Sequence, residues 1–178
     1  MLSYRDGDAG AFDALYARHK GGVYRYLLRQ CREAGAAEEL FQDVWMNLVR
    51  ARATYTVQAK FTTYLYRVAH NRLMDHYRKH GQAVVTSFEA EDGPVLEDLV
   101  DERQQPVEAA YDVKRQAAEL RELIAGLPAP QREAFLMQQE GGMCVEAIAA
   151  ATGVSRETAK SRLRYALAKL REGMSQWR

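Results

Sequence analysis

Residues 61–79 read "FTTYLYRVAHNRLMDHYRK". At about 100° per residue, the 3.6-residue period of a helix, Phe61, Tyr64, Leu65, Val68, Ala69 and Leu73 gather on one side. Thr63, Tyr66, Arg67, His70, Asn71, Met74, Tyr77 and Arg78 gather on the other. Arg72 falls among the apolar positions and breaks the pattern. One side therefore belongs to a core. The other combines cations, an amide and aromatic rings. Cations suit phosphates, but rings gain a use when bases are unstacked and need a surface to lie on. Extruding a base costs about a few kcal/mol, which stacking and edge hydrogen bonds offset.

The stretch before it, residues 36–51, reads "AAEELFQDVWMNLVRA" and repeats the helical period. Leu40, Phe41, Val44, Trp45, Leu48 and Val49 form the apolar stripe. Glu39, Gln42, Asp43, Met46 and Arg50 face away from it. Carboxylates repel phosphate, so this face fits a basic protein surface, with Met46 as an adaptable apolar contact. A further helix is expected over residues 12–31, broken at Gly21-Gly22. Period-2 alternation is hard to find, and the fold class expected is all-α.

A second helical block starts after Pro106, with apolar residues from Val107 to Leu127. "LPAP" (residues 127–130) stops that helix, because proline disfavours helix in the residue before it. A new helix is expected from Pro130 or Gln131 to Glu140, ended by Gly141-Gly142. Then comes "VEAIAAATGVSRETAKSRLRYALAKL" (residues 145–170). It reads as a short helix over 145–151, a turn at Thr152-Gly153-Val154, and a second helix with Ser155 as N-cap. Val154, Ala159, Leu163, Leu167 and Leu170 face inward. Arg156, Glu157, Thr158, Lys160, Ser161, Arg164 and Tyr165 face outward or lie at the edges. This is the donor and acceptor mixture that reads base edges and phosphates from the major groove.

Charge divides the chain in the same places. Residues 1–80 hold 13 Lys/Arg against 8 Asp/Glu, and residues 111–178 hold 11 against 8. Between them, residues 81–110 hold 1 against 8. The architecture expected is two small helical domains, 1–80 and 106–178, joined by an acidic linker over 81–105. No apolar run approaches the roughly 20 residues of a membrane span, and the start "MLSYRDGDAG" does not read as a signal peptide. Cys31 and Cys144 are far apart and outside any zinc pattern, as suits free thiols in a reducing cytosol. There is no Gly-rich phosphate loop and no GxSxG. His76 and His80 are four apart and share a helix face, but a metal there needs further ligands. We expect no catalytic residue, no metal and no cofactor.

The ordered set of motifs resembles the extracytoplasmic-function (ECF) sigma factors of bacterial RNA polymerase, the smallest sigma-70 type. "LYARHKGGVYRYLLRQ", "AEELFQDVW" and "FTTYLYRVAHNRLMDHYRK" match region 2, and residues 123–172 match region 4. The resemblance implies that Glu39, Gln42, Asp43 and Met46 grip the clamp helices of the polymerase β′ subunit. It implies that Arg52, Tyr55, Lys60, Thr63, Tyr66, Arg67, His70, Asn71 and Arg78 bind and melt the −10 promoter element. It assigns the −35 element to Arg156, Glu157, Thr158, Lys160, Ser161, Arg164 and Tyr165. The implied partners are core RNA polymerase (β′ and β subunits) and promoter DNA, with an anti-sigma factor as in many relatives. The implied location is the bacterial cytoplasm, on the nucleoid. Three positions depart from the family: the loop "ATYTVQAK" (residues 53–60) has no Asp, Gly or Pro, Cys144 replaces a capping Ser or Thr, and Tyr165 replaces a basic residue of some relatives. The rival reading is a stand-alone helix-turn-helix regulator that binds duplex DNA without polymerase, which leaves the aromatic face of 61–79 without a purpose.

Overall fold

The computed structural model describes residues 1–80 and 107–175, and the acidic linker expected over 81–105 lies outside them. Every regular element among the described residues is helical. The N-terminal half holds α1 (Leu2–Arg5), α2 (Gly10–Cys31), α3 (Ala34–Arg50), a 3-10 turn (Arg52–Thr54) and α4 (Phe61–Lys79). The C-terminal half holds α5 (Val107–Ala125), α6 (Ala129–Gly141), α7 (Val145–Thr152) and α8 (Arg156–Gly173).

The expected break in α2 does not occur. The helix runs unbroken through Gly21-Gly22, since glycine weakens a helix by only about 1 kcal/mol and the packed stripe of Val23, Tyr26 and Leu27 outweighs that. It ends where Arg32 takes a left-handed conformation (φ 61°) and returns its N–H to Leu28. Helix α3 packs on both α2 and α4. Leu40, Val44, Trp45 and Leu48 are buried as the period predicts, but Val49 is exposed, lying at the edge of the stripe. Trp45 sits in an aromatic cluster, edge-on to Tyr16 (centroids 4.9 Å apart) and Phe12 (5.9 Å). Arg72, out of place on the wheel, snorkels to Asp75 one turn on at 3.1 Å.

In the C-terminal half the punctuation works as read. Pro128 precedes α6, Pro130 lies in its first turn, and Gly142 closes it at φ 58°. Gly153 makes the α7–α8 turn at φ 70°. Ala159, Leu163, Ala166 and Leu170 bury the inner side of α8.

The halves do not stand apart. Helix α6 lies against α2 as well as α8, and α7 lies against α4. Six consecutive α6 residues, Arg132 to Met137, are buried. A helix buried all round has neighbours on every side, and here some of them come from the other half of the chain.

Candidate nucleic-acid interface

Three surfaces carry the residues singled out in the sequence, and they fare differently. On α8 the local geometry is complete. The Ser155 hydroxyl accepts from the Thr158 N–H at 3.1 Å and lies 2.8 Å from the Thr158 hydroxyl. This satisfies one of the orphan donors at the helix start. Arg156, Glu157, Thr158, Lys160, Arg164 and Tyr165 are exposed and Ser161 is half-buried. Arg156 is tethered: its Nε donates to Glu146 of α7 at 2.5 Å and its Nη1 to Glu157 at 3.2 Å. The hydrogen bond from Arg156 is the main cause that holds the Glu146 carboxyl down at about 2. Arg164 lies over the Tyr165 ring, 5.0 Å from its centre. The α7–turn–α8 unit can present a cationic helix start, one dipole end and several hydrogen-bonding side chains to a groove.

On α3, Glu39, Gln42, Asp43 and Met46 are all exposed. Met46 keeps 47% of its surface in solvent and Val49 38%, so the acidic face has an apolar edge larger than the sequence suggested.

The α4 surface is the correction. The helical wheel places Thr63, Tyr66, Arg67 and His70 on an open face, but α6 and α7 cover it. Thr63 is buried, and Tyr66 is 1% exposed with its ring edge-on to Tyr26 at 5.4 Å. Burial pushes the Tyr66 hydroxyl well above the usual tyrosine range. His70 Nδ1 lies 2.7 Å from Glu133 of α6. Arg67 is exposed but donates to the Ala150 carbonyl of α7 at 2.9 Å. Asn71 and Arg78 remain exposed, and Arg78 pairs with Asp75. In the 52–60 loop, Lys60 is exposed as expected. Tyr55 is not: it is buried edge-on to Tyr64 at 5.1 Å, and its carbonyl accepts from Arg5 at 3.3 Å. Arg52 stacks over Tyr4 of α1 at 4.7 Å. Sequence reasoning missed the partners on this surface: Tyr26, Gln30, Arg132, Glu133 and Glu140. They look like ordinary stripe or solvent positions on their own helices, and only the buried run in α6 distinguishes them.

Among the described residues no group of three or more His, Cys, Asp or Glu is placed to hold a metal ion. The His76 and His80 rings lie tilted at 35° with centroids 4.2 Å apart, and His80 Nδ1 lies 3.0 Å from the His76 carbonyl oxygen. No described helix is long and apolar enough to cross a membrane.

Family models for sigma-70 region 2 and sigma-70 region 4 match residues 15–83 and 117–170. The chain is 30% identical to RNA polymerase sigma factor CarQ of Myxococcus xanthus, covering 97% of this chain and 94% of that one. It is 32% identical to the ECF sigma factor RpoE of Cereibacter sphaeroides, covering 98% and 93%. The chain belongs to the ECF group of sigma-70 factors. It is an alternative sigma factor, a regulatory DNA-binding protein that directs transcription initiation with RNA polymerase. The fold agrees: the sigma factor RpoE of Bartonella quintana, solved with the anti-sigma factor NepR, superposes with a TM-score of 0.70 at 20% identity, covering 93% of this chain and 97% of that one. Region 2 of this sigma factor is thus α2 to α4, and region 4 falls within α5 to α8.

Proposed function

We propose a residue-level division of labour for this sigma factor, with region 2 spanning residues 1–80 and region 4 spanning 106–178 as separable working units. Glu39, Gln42, Asp43 and Met46 dock on the β′ clamp helices of core polymerase. Arg52, Tyr55, Lys60, Thr63, Tyr66, Arg67, His70, Asn71 and Arg78 take up and melt the −10 element. Arg156, Glu157, Thr158, Lys160, Ser161, Arg164 and Tyr165 read the −35 duplex, and the acidic segment 81–105 connects the two. The observation that carries this reading is the capped, outward-facing start of α8 on one unit and the exposed acidic face of α3 on the other. The protein acts as an initiation factor without a reaction of its own, in the bacterial cytoplasm where polymerase and promoters are. A partner of the anti-sigma kind is part of the proposal, because a sigma factor of the same fold was solved with one.

The test is transcription in vitro from a promoter library with purified core polymerase. The wild type yields transcripts sharing two upstream elements. Glu39→Lys with Asp43→Lys lowers core affinity about tenfold or more, since charge reversal at a complementary interface costs several kcal/mol, while duplex binding by region 4 survives. Normal core affinity in that variant removes the α3 assignment. Tight duplex binding without any polymerase-dependent transcript favours the stand-alone regulator.

A further inference from the structure

Residues 1–8 precede the stretch matched to region 2, which begins at residue 15. They are nonetheless built into it at one place, the start of the 52–60 loop. Helix α1 packs on both α2 and the 3-10 turn. Tyr4 is buried, with its ring 5.2 Å from that of Phe12, which in turn meets Trp45 of α3. The Arg52 guanidinium stands over the same Tyr4 ring, 4.7 Å from its centre. The next residue, Arg5, donates from Nη1 to the Tyr55 carbonyl at 3.3 Å. Its Nε donates to Asp6 at 2.8 Å, so the guanidinium is held in orientation. Gly7 then turns the chain at φ 112°, a positive φ that glycine takes without strain. Asp8 accepts from the Ala11 N–H at 3.2 Å, which fixes the entry into α2. The loop itself offers little to hold its shape. Residues 53–60 contain no Asp, Gly or Pro, three of the residue types that set a turn from within. Tyr55 is buried against Tyr64, and residues 56–60 are all exposed.

We infer that α1 is a brace for this loop: Tyr4 positions Arg52 and Arg5 positions Tyr55, so that residues 56–60 meet the −10 element in one shape. The inference rests on the proposed −10 role of residues 52–60. Tyr4 and Arg5 are positioning residues, and neither has to touch DNA. The two contacts grip the two ends of the turn Arg52–Thr54, whose C-cap is Tyr55. Both leave the loop's own chemistry available. A ring face holds the Arg52 charge in place without neutralising it, as a carboxylate would, so the charge still serves a phosphate. A hydrogen bond to the Tyr55 carbonyl fixes the backbone and leaves the following side chains outside. A loop fixed in advance loses less conformational entropy when it captures a strand.

The test uses holoenzyme assembled on core polymerase and a promoter recovered by the library transcription above. Permanganate reactivity reads the equilibrium between closed and open promoter. Fluorescence anisotropy reads core affinity and −35 duplex affinity, and circular dichroism checks that the helices persist. Tyr4→Ala lowers the opening equilibrium about tenfold, the factor for a freed loop that takes the bound shape about one time in ten. Arg5→Ala removes a half-buried side chain and leaves the packing around Tyr4 intact. It lowers opening about fivefold, the worth of one net hydrogen bond. Tyr4→Phe keeps the ring and opens as wild type. Core and duplex affinities stay at wild-type values in all three. Normal opening by Tyr4→Ala and Arg5→Ala overturns the brace. So does a Tyr4→Phe protein as impaired as Tyr4→Ala, or a parallel loss of −35 duplex affinity, which reports general destabilisation. Lys60→Glu, a charge reversal at the exposed end of the loop, separates the two readings. Impaired opening by Lys60→Glu beside normal opening by the α1 variants removes the brace alone. Normal opening by Lys60→Glu removes the −10 role of the loop and the brace with it.

Discussion

The two helices of the DNA-reading motif begin with the same backbone and different side chains, which makes an internal experiment. Cys144 caps α7 at φ −77°, ψ 167°, and Ser155 caps α8 at φ −67°, ψ 154°. Only the serine accepts a hydrogen bond from its helix. Replacing a capping Ser by Ala costs about 1 kcal/mol, within a range of roughly 0.5–2. The middle of that range applies at Ser155, because the Thr158 N–H and hydroxyl it leaves behind are exposed and water takes them. Cys144→Ser places an oxygen acceptor where the thiol gives none to the backbone, so it gains up to about 1 kcal/mol by the same scale. For a chain of this size 1 kcal/mol moves the melting midpoint by about 2–4 °C. Urea unfolding followed by circular dichroism should lower the midpoint concentration for Ser155→Ala and raise it for Cys144→Ser, each with an unchanged slope. The double variant should return close to wild type. A Cys144→Ser protein that unfolds at or below the wild-type midpoint would refute the capping account of α7, and a neutral Ser155→Ala would refute that of α8.

Burial, with Glu33 adding to it, pushes the Cys31 thiol up to about 12, so at pH 8 only about one molecule in ten thousand carries its thiolate, the reactive form. A disulfide-exchange reagent should label one thiol, exposed Cys144, quickly, and a second only on unfolding; two fast thiols would mean that Cys31 is not packed as described. Burial likewise pushes Tyr77 up to about 12. Both groups are protonated more firmly when folded, so the stability they confer is whole below their ordinary values of 9.0 and 10.0 and is lost as pH rises towards 12. Cys31→Ala should flatten that alkaline loss in denaturation curves taken at successive pH values. Lys160→Ala and Arg164→Ala should each reduce the salt dependence of −35 duplex binding by about 0.9 in log–log slope if each meets one phosphate; an unchanged slope would take phosphate contact away from that residue. Leu136→Ala, at a fully buried α6 position, should cost about 2–5 kcal/mol in the same urea assay.

How far the sequence could be read follows from what a hydrophobic period measures. It reports which side of a helix is apolar, and on α3, α4 and α8 most of the predicted inner residues are inside. It also located the caps, since Ser155, Gly142 and Gly153 act through local backbone geometry. It does not report what the polar side meets. A histidine paired with a buried glutamate and one facing DNA or water leave the same letter in the sequence, so the period that set His70 on the polar face gave no sign of Glu133. Tyr66 and Tyr55 are buried, and their letters could not foretell it, because an amphipathic ring fits a core edge as well as a base. The exposure of the acidic α3 face was legible because no described residue covers it.

The region 2–region 4 contact joins an apolar cluster shared by both halves to a set of charged and polar pairs. An obligate interface resembles a core cut in half, and surfaces of that kind would stay sticky once parted. Here the buried apolar residues of both halves form one cluster, and Glu133, Glu140, Arg25, Arg29, Arg132 and Gln30 add polar anchors to it. Their pairing offsets the desolvation cost of burying them. Two local costs remain at this boundary. Gln30 gives its Oε1 to Arg132 at 3.2 Å, but its Nε2 is buried without a partner among the described residues; such an orphan donor costs about 1–3 kcal/mol. Arg32 holds a left-handed backbone, about 1–2 kcal/mol above the ordinary helix, while its guanidinium donates across the boundary to the Ala125 carbonyl. The polar pairs fix the register of the contact, and the shared apolar cluster supplies its depth.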